Sequence, residues 1–291
     1  MKTALNAPLD DLNMNVGAMR LASAHLAMTS PEYRAYLRSG GRYTILDGSS
    51  EDMGGRVSLD DLGELVEAIR PDEVVLPYVS KDRKATYDLS MDFFNDHIVE
   101  MEKKPKVMAV AQGESKDDWL SSYITWMDLE YVDVIGVTSD IDFSVSQVSA
   151  KKEDLGTSGS RSFNRRRLVD QIYYQHAKKP IHLLGMNNLG EVQLLRDSGA
   201  NSKGFIRSIG TTDPFAAAIQ GKEWSAYAEM DRHLDEELSL VDYNHEWTPE
   251  EKARAYRNLM TFAEVTGDHS VSYNLGRVAV EDEIIQPKEE K

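Results

Sequence analysis

Short apolar runs alternate with longer amphipathic stretches along most of the chain, each run closed by a turn signal. Runs of four to eight apolar residues read as buried strands, and apolar positions three and four apart read as one face of a helix. On that basis strands are predicted at Leu21–Ala27, Tyr43–Leu46, Glu73–Val79, Lys106–Ala111, Val132–Val137, Pro180–Leu184 and Gly204–Ile209. The helices between them are predicted at Pro31–Arg38, Ser58–Ile69, Lys84–Glu102, Ser115–Glu130, Asn164–Ala177 and Leu189–Ser198. Ser58 with Asp60 and Asp61, and Ser115 with Asp117 and Asp118, put a hydroxyl cap and first-turn acids where a helix start wants them.

Strand-then-helix units spaced about 25 to 50 residues apart build a parallel sheet. The expected fold is α/β, a (β/α)8 TIM-type barrel, with the eighth strand sought in Asn13–Met19. An open doubly wound sheet would carry a glycine-rich phosphate turn after its first strand, and no G-x-G-x-x-G or Walker pattern occurs. After Pro214 the texture changes. Phe215–Gln220 starts a helix, Asp231–Glu251 is strongly acidic, and Thr248–Thr266 is a helix opened by Thr-Pro-Glu-Glu. Residues 1–214 are read as the barrel and 215–291 as a helical extension with an acidic tail, not an independent domain.

Composition narrows the chemistry. The 291 residues include no cysteine, which excludes disulfides, thiolate metal sites and cysteine nucleophiles. Apolar runs reach only about six residues, so no membrane span is expected, and the first twelve residues lack the apolar core of a secretion signal. The cytoplasm is the expected location, the host cytoplasm if the chain is phage-encoded. A net charge of −16 argues against broad attraction to nucleic acid. One basic window opposes that balance, with Arg161, Arg165, Arg166, Arg167, Lys178 and Lys179 around the single acid Asp170. It reads either as a solvated helix face or as a phosphate-contacting patch in which Arg165, Arg166 and Arg167 meet a nucleic-acid backbone. The seven histidines show no H-x-x-x-H or H-x-H spacing, so no metal is expected. His182 and His25 both fall in predicted strands, as core or pocket-lining groups. No G-x-S-x-G elbow supports a serine hydrolase.

In a barrel of this type, functional groups sit at the C-terminal strand ends. Those ends carry Asp47-Gly48-Ser49-Ser50, Tyr78 to Asp82, Gln112-Gly113-Glu114, Gly136 to Asp142, Gly185-Met186-Asn187-Asn188 and Gly210-Thr211-Thr212-Asp213. Polar groups and glycines from several unrelated strands converge there. Glycine lets a planar ligand or a phosphate approach the backbone, so a small-molecule pocket is expected.

The ordered segments YTILDGSSE (Tyr43–Glu51), DEVVLPYVSKDRKAT (Asp72–Thr86), KVMAVAQGESKDDW (Lys106–Trp119), VDVIGV (Val132–Val137), KPIHLLGM (Lys179–Met186) and RSIGTTDPFAAA (Arg207–Ala218) carry a likeness to a known family. Together they resemble the tRNA-guanine transglycosylase superfamily, especially its short phage-type members associated with 7-deazaguanine in DNA. The resemblance implies base exchange at a guanosine glycosidic bond in nucleic acid, DNA favoured over tRNA, with no cofactor. One aspartate attacks the sugar, guanine leaves, and a queuine-type 7-deazaguanine base takes its place. It further implies that Asp47 handles protons at the base, that Gln112 and Gly113 contact the base edge, and that Gly136 offers a backbone contact. Leu184, Gly185 and Met186 would form the platform under the ring. A purine-like base or nucleotide, DNA or tRNA, and a homo- or hetero-oligomeric partner are the implied associates.

Two positions depart from the family pattern. Tyr78 stands where an acid normally follows Leu-Pro, and Gly210 stands where the nucleophilic aspartate belongs. Glycine cannot attack a sugar carbon. Either the nucleophile has moved, with Asp213 the best placed and Asp140 or Asp142 behind it, or the chain is a catalytically silent base-binding or scaffold subunit. Thr212-Asp213-Pro214 also reads as a helix cap, which would occupy the Asp213 carboxylate. An unrelated barrel enzyme for a small polar metabolite is the third reading.

Overall fold

The structure, a computed structural model, describes residues 1–7, 9–48, 55–141, 157–186, 189–224 and 245–281. Eight parallel strands close into a barrel in sequence order. They are β1 (Lys2–Leu5), β2 (Met19–Ser23), β3 (Tyr43–Asp47), β4 (Glu73–Val75), β5 (Lys106–Val110), β6 (Val134–Val137), β7 (Ile181–Leu183) and β8 (Ile206–Thr211). Between and after them run α1 (Ala24–Thr29), α2 (Pro31–Arg38), α3 (Leu59–Ile69), α4 (Arg83–Phe93), α5 (Lys116–Asp128), α6 (Thr157–His176), α7 (Leu189–Arg196), α8 (Gly199–Ser202) and α9 (Asp213–Ile219). Two further helices, α10 (Pro249–Thr266) and α11 (His269–Glu281), complete the fold. The expected (β/α)8 barrel is therefore present, and no helix among the described residues is long and apolar enough to cross a membrane.

The eighth strand is Lys2–Leu5, not Asn13–Met19. Its four residues show no alternation because a parallel barrel strand is covered on both faces. Ala4 joins the interior cluster, while Leu5 packs outward against Phe215, Leu259 and Leu275. Residues Leu9–Met14 form a 3-10 turn instead. The second strand also starts earlier and ends sooner than the apolar run Leu21–Ala27 predicts. Ala24, Leu26 and Ala27 are the buried face of α1, so apolar residues continue across the boundary while the backbone changes.

Alternation sorts the barrel into two cores. Ala4, Met19, Ile45, Val75, Met108, Val110, Val134 and Leu184 fill the lumen. The intervening Leu46, Val74, Ala109, Ile135, Leu183 and Ile209 pack outward beneath the helices. The predicted caps form: Ser58 accepts from the Asp61 N–H at 3.1 Å, and Ser115 from the Asp118 N–H at 3.2 Å. Thr248 and Glu251 make a reciprocal capping box at the start of α10. The helices after the barrel share a core with it, and the Asp268 carboxylate accepts the Thr3 N–H at 2.7 Å.

An ion pair with a fully buried carboxylate crosses the lower end of the barrel. Ile181 faces Ile206 and His182 faces Ser208, so Arg207 is the extra residue of a bulge. A bulge re-aims its side chain. Arg207 reaches Glu73 on β4, four strands away, with contacts of 2.5 and 3.0 Å. Glu73 is fully buried and also accepts the Tyr43 hydroxyl at 2.7 Å.

Candidate functional site

The opposite, C-terminal mouth carries the polar strand ends. Asp47 ends β3 opposite Ser23 of β2 and Val75 of β4. The alternation that turns Ile45 into the lumen turns Asp47 to the same side, half-buried at the rim. Gln112 follows β5 with the parity of Met108 and Val110 and is 2% exposed. Its Oε1 accepts the Lys81 N–H at 2.9 Å, and its own N–H donates to the Ser122 hydroxyl at 3.2 Å. Lys81 sits in the left-handed region at φ 61°, a conformation this bond helps to hold. With Oε1 engaged, the amide NH2 of Gln112 is buried without a hydrogen-bond partner among the described residues. Asp47 and Gln112 thus share one rim.

Asp140 lies on the same rim beyond β6. Its carboxylate accepts the Ser80 hydroxyl at 2.8 Å and the Thr138 hydroxyl, tying the β4 and β6 ends together. Tyr78 packs half-buried against the lumen cluster. Leu184 is inside the barrel, as a platform would be, and the adjoining Gly185 is exposed at φ 61°. Ser49, Ser50, Asp142, Asn187 and Asn188 lie outside the described residues.

Four expected site residues do other work. A Cβ on Gly113 would lie 2.4 Å from the Trp119 backbone nitrogen, so this glycine exists to admit the first turn of α5. Gly113→Ala is expected to cost about 1–3 kcal/mol, read as a lower urea midpoint with unchanged slope. A Cβ on Gly136 would meet Leu184 and Val110 at 3.1 Å, so packed side chains fill the approach expected for a ring. Met186 turns away from the mouth into the outer core, where its sulfur contacts Arg165 at 2.8 Å. Arg165 itself is 1% exposed and cannot reach a phosphate backbone. Its guanidinium holds both Glu191 oxygens, at 2.5 and 2.8 Å, and the Leu184 carbonyl at 2.7 Å.

The rest of the basic window is dispersed. Arg166 is half-buried and lies 3.8 Å from Asp170, and Arg167 is half-buried. Lys178 pairs with Asp128 at 3.0 Å, while Lys179 donates to the Leu129 carbonyl. Asp213 is also not the cap. Thr212 takes the cap position of α9 without a side-chain bond, and Asp213 is the first helical residue, 6% exposed. The Asp213 N–H donates to Thr211 Oγ1 at 3.0 Å, and that hydroxyl donates to the Met186 carbonyl at 2.6 Å.

Beneath the mouth, His182 is fully buried in the lumen, its Nδ1 2.7 Å from the Ser208 hydroxyl. A Cβ on Gly210 would stand 2.9 Å from His182 Nε2 and 3.2 Å from Leu21. Glycine at 210 and histidine at 182 are therefore matched in shape. The strand position of His182 alone suggested core or pocket wall, and its partner Ser208 becomes a neighbour only when β7 pairs with β8. The chain matches no protein-family model and no curated protein.

Proposed function

We propose that the chain is a transglycosylase-like barrel that holds a purine-type base at its C-terminal mouth. Its reaction would be base exchange at a guanosine glycosidic bond in nucleic acid, 7-deazaguanine modification of DNA before that of tRNA, in the cytoplasm. The observation that supports this reading best is the shared rim of Asp47 and Gln112 above Leu184. A planar base wants an acid and an amide on its edge and apolar atoms on its face. In the reaction a carboxylate oxygen bonds the anomeric carbon as the bond to guanine breaks, and the leaving guanine takes a proton. The incoming base then displaces the carboxylate and gives up its own proton. Asp47 is assigned the proton transfers, and Asp213 is the carboxylate nearest in sequence to the vacant position at Gly210.

The Gly210–His182 fit favours a second reading, a base-binding or scaffold subunit without catalysis. An aspartate at 210 would press on the imidazole, which supports a chain that does without a nucleophile at that position. Incubation with guanine-containing DNA or tRNA and labelled 7-deazaguanine separates the readings. Incorporation into DNA that Asp213→Asn abolishes would support exchange. Binding of the free base with no incorporation would support the silent subunit, and no binding would reject both. Gly210→Asp by itself is expected to gain nothing and to lose about 1–3 kcal/mol of stability through overpacking.

A further inference from the structure

Outside the lumen, α4 and α5 leave a recess of about 260 Å³ between them. Arg83, Lys84 and Tyr87 line it from α4, and Ser122, Thr125 and Trp126 from α5. Its back wall is aromatic and fixed. Trp126 is 1% exposed and belongs to the core beneath the helices. Tyr87 stacks on it, with ring centroids 5.3 Å apart and planes 28° from parallel. One face of the phenol ring is thereby covered, yet Tyr87 remains 37% exposed. A ring held in this way offers a planar molecule an aromatic surface that needs no rearrangement.

The same recess carries positive charge with donors to spare. Asp118 meets Arg83 at Nε, 2.7 Å away, and the terminal nitrogens of Arg83 make no hydrogen bond among the described residues. A guanidinium has five N–H groups in a planar fork, and a carboxylate can accept two of them in parallel. Lys84 holds Asp88 through one contact, and its side chain is 85% exposed. Its ammonium has three donors. Volume sets the size of the occupant. Sites for drug-sized ligands run to about 300–1,000 Å³, so this smaller recess suits a molecule of one ring.

We propose that this recess binds a small aromatic carboxylate, its ring laid against Tyr87 and its carboxylate held by Arg83 and Lys84. An exposed ion pair holds little by itself, so the ring contact and the charge must act together. Ser122 on the recess wall also accepts the Gln112 N–H at 3.2 Å, which sets the occupant behind the mouth rather than in it. The assignment does not rest on the purine reading, because none of the six lining residues belongs to that site.

The test is an NMR titration of the full chain carrying 15N-labelled tryptophan, in which the Trp126 indole signal is identified by its loss in Trp126→Phe. Benzoate is the ligand, acetate the control for charge without a ring, and benzyl alcohol the control for a ring without charge. Benzoate is expected to move the signal saturably, and each control to bind at least about tenfold more weakly. Arg83→Gln and Tyr87→Ala, both at exposed side chains, should each weaken benzoate at least about tenfold. Arg166→Gln, on α6, should leave its affinity unchanged. Equal binding of benzoate and either control would overturn the proposal, as would full affinity in Arg83→Gln or Tyr87→Ala. A signal that benzoate does not move would overturn it too. Guanosine monophosphate moving the same signal at lower concentration than benzoate would overturn it in favour of a nucleotide site.

Discussion

Arg165→Ala is expected to lose about 3–5 kcal/mol of folding stability, because it takes from the buried Glu191 carboxylate the guanidinium that pairs with both its oxygens. The residue braces three elements at once. From α6 it holds Glu191 on α7, the Leu184 carbonyl at the end of β7, and the Met186 sulfur just beyond. The variant should therefore loosen the platform side of the mouth as well as lower the urea midpoint. Arg165→Met combined with Glu191→Leu should recover most of the loss, since a buried pair can often be replaced by apolar groups of similar volume at little cost. Arg166→Ala, one position along and facing Asp170 at 3.8 Å, should change stability by less than about 0.5 kcal/mol. Equal losses from the two single variants would contradict this division of labour.

The second large effect is a stability that falls in mild acid. In the unfolded chain His182 titrates near the ordinary imidazole value of 6.5, whereas the folded lumen pulls it down to about 3. Its contribution is complete above pH 6.5 and is lost as pH falls from there through the folded value, because the unfolded state then binds a proton that the native state refuses. At 1.36 kcal/mol per pKa unit, the loss between pH 6.5 and 4.5 is about 2–3 kcal/mol. His182→Gln removes this titration while leaving the other histidines and the carboxylates in place. The difference in unfolding free energy between wild type and variant, from urea curves at pH 7 and 4.5, should shrink by that amount on acidification. A difference independent of pH would show that His182 is not held neutral.

What could be read along the chain were features that depend on near neighbours in sequence. The helix starts at Ser58, Ser115 and Thr248 were legible because a cap and its first-turn partners lie within three residues. The strand bodies of β3 and β5 were legible as short apolar runs. β1 was not, because four residues buried on both faces leave no period to detect, and its partners Ala4–Gly210 are joined only when the barrel closes. The boundary between β2 and α1 was hidden for a related reason, since apolar residues suit both the lumen strand and the buried helix face.

The site divides along the same line. That Asp47, Gln112, Asp140, Gly185 and Gly210 stand at strand ends followed from the alternation of elements. Whether each turns toward the mouth did not, and the glycines show why. Gly113, Gly136 and Gly210 look alike as sequence, yet the first admits a helix turn, the second makes room for Leu184, and the third makes room for the His182 ring. The arginine run shows it most sharply. Arg165, Arg166 and Arg167 are adjacent and chemically identical, and helical geometry turns them about 100° apart. One of them is consequently buried against Glu191 while its neighbours remain half-exposed. Local order in the sequence determined the elements, their caps and the order of polar strand ends. Barrel closure, the bulge at Arg207 and the packing of α6 on α7 decided which charges are spent inside and which strand-end groups stay at the mouth.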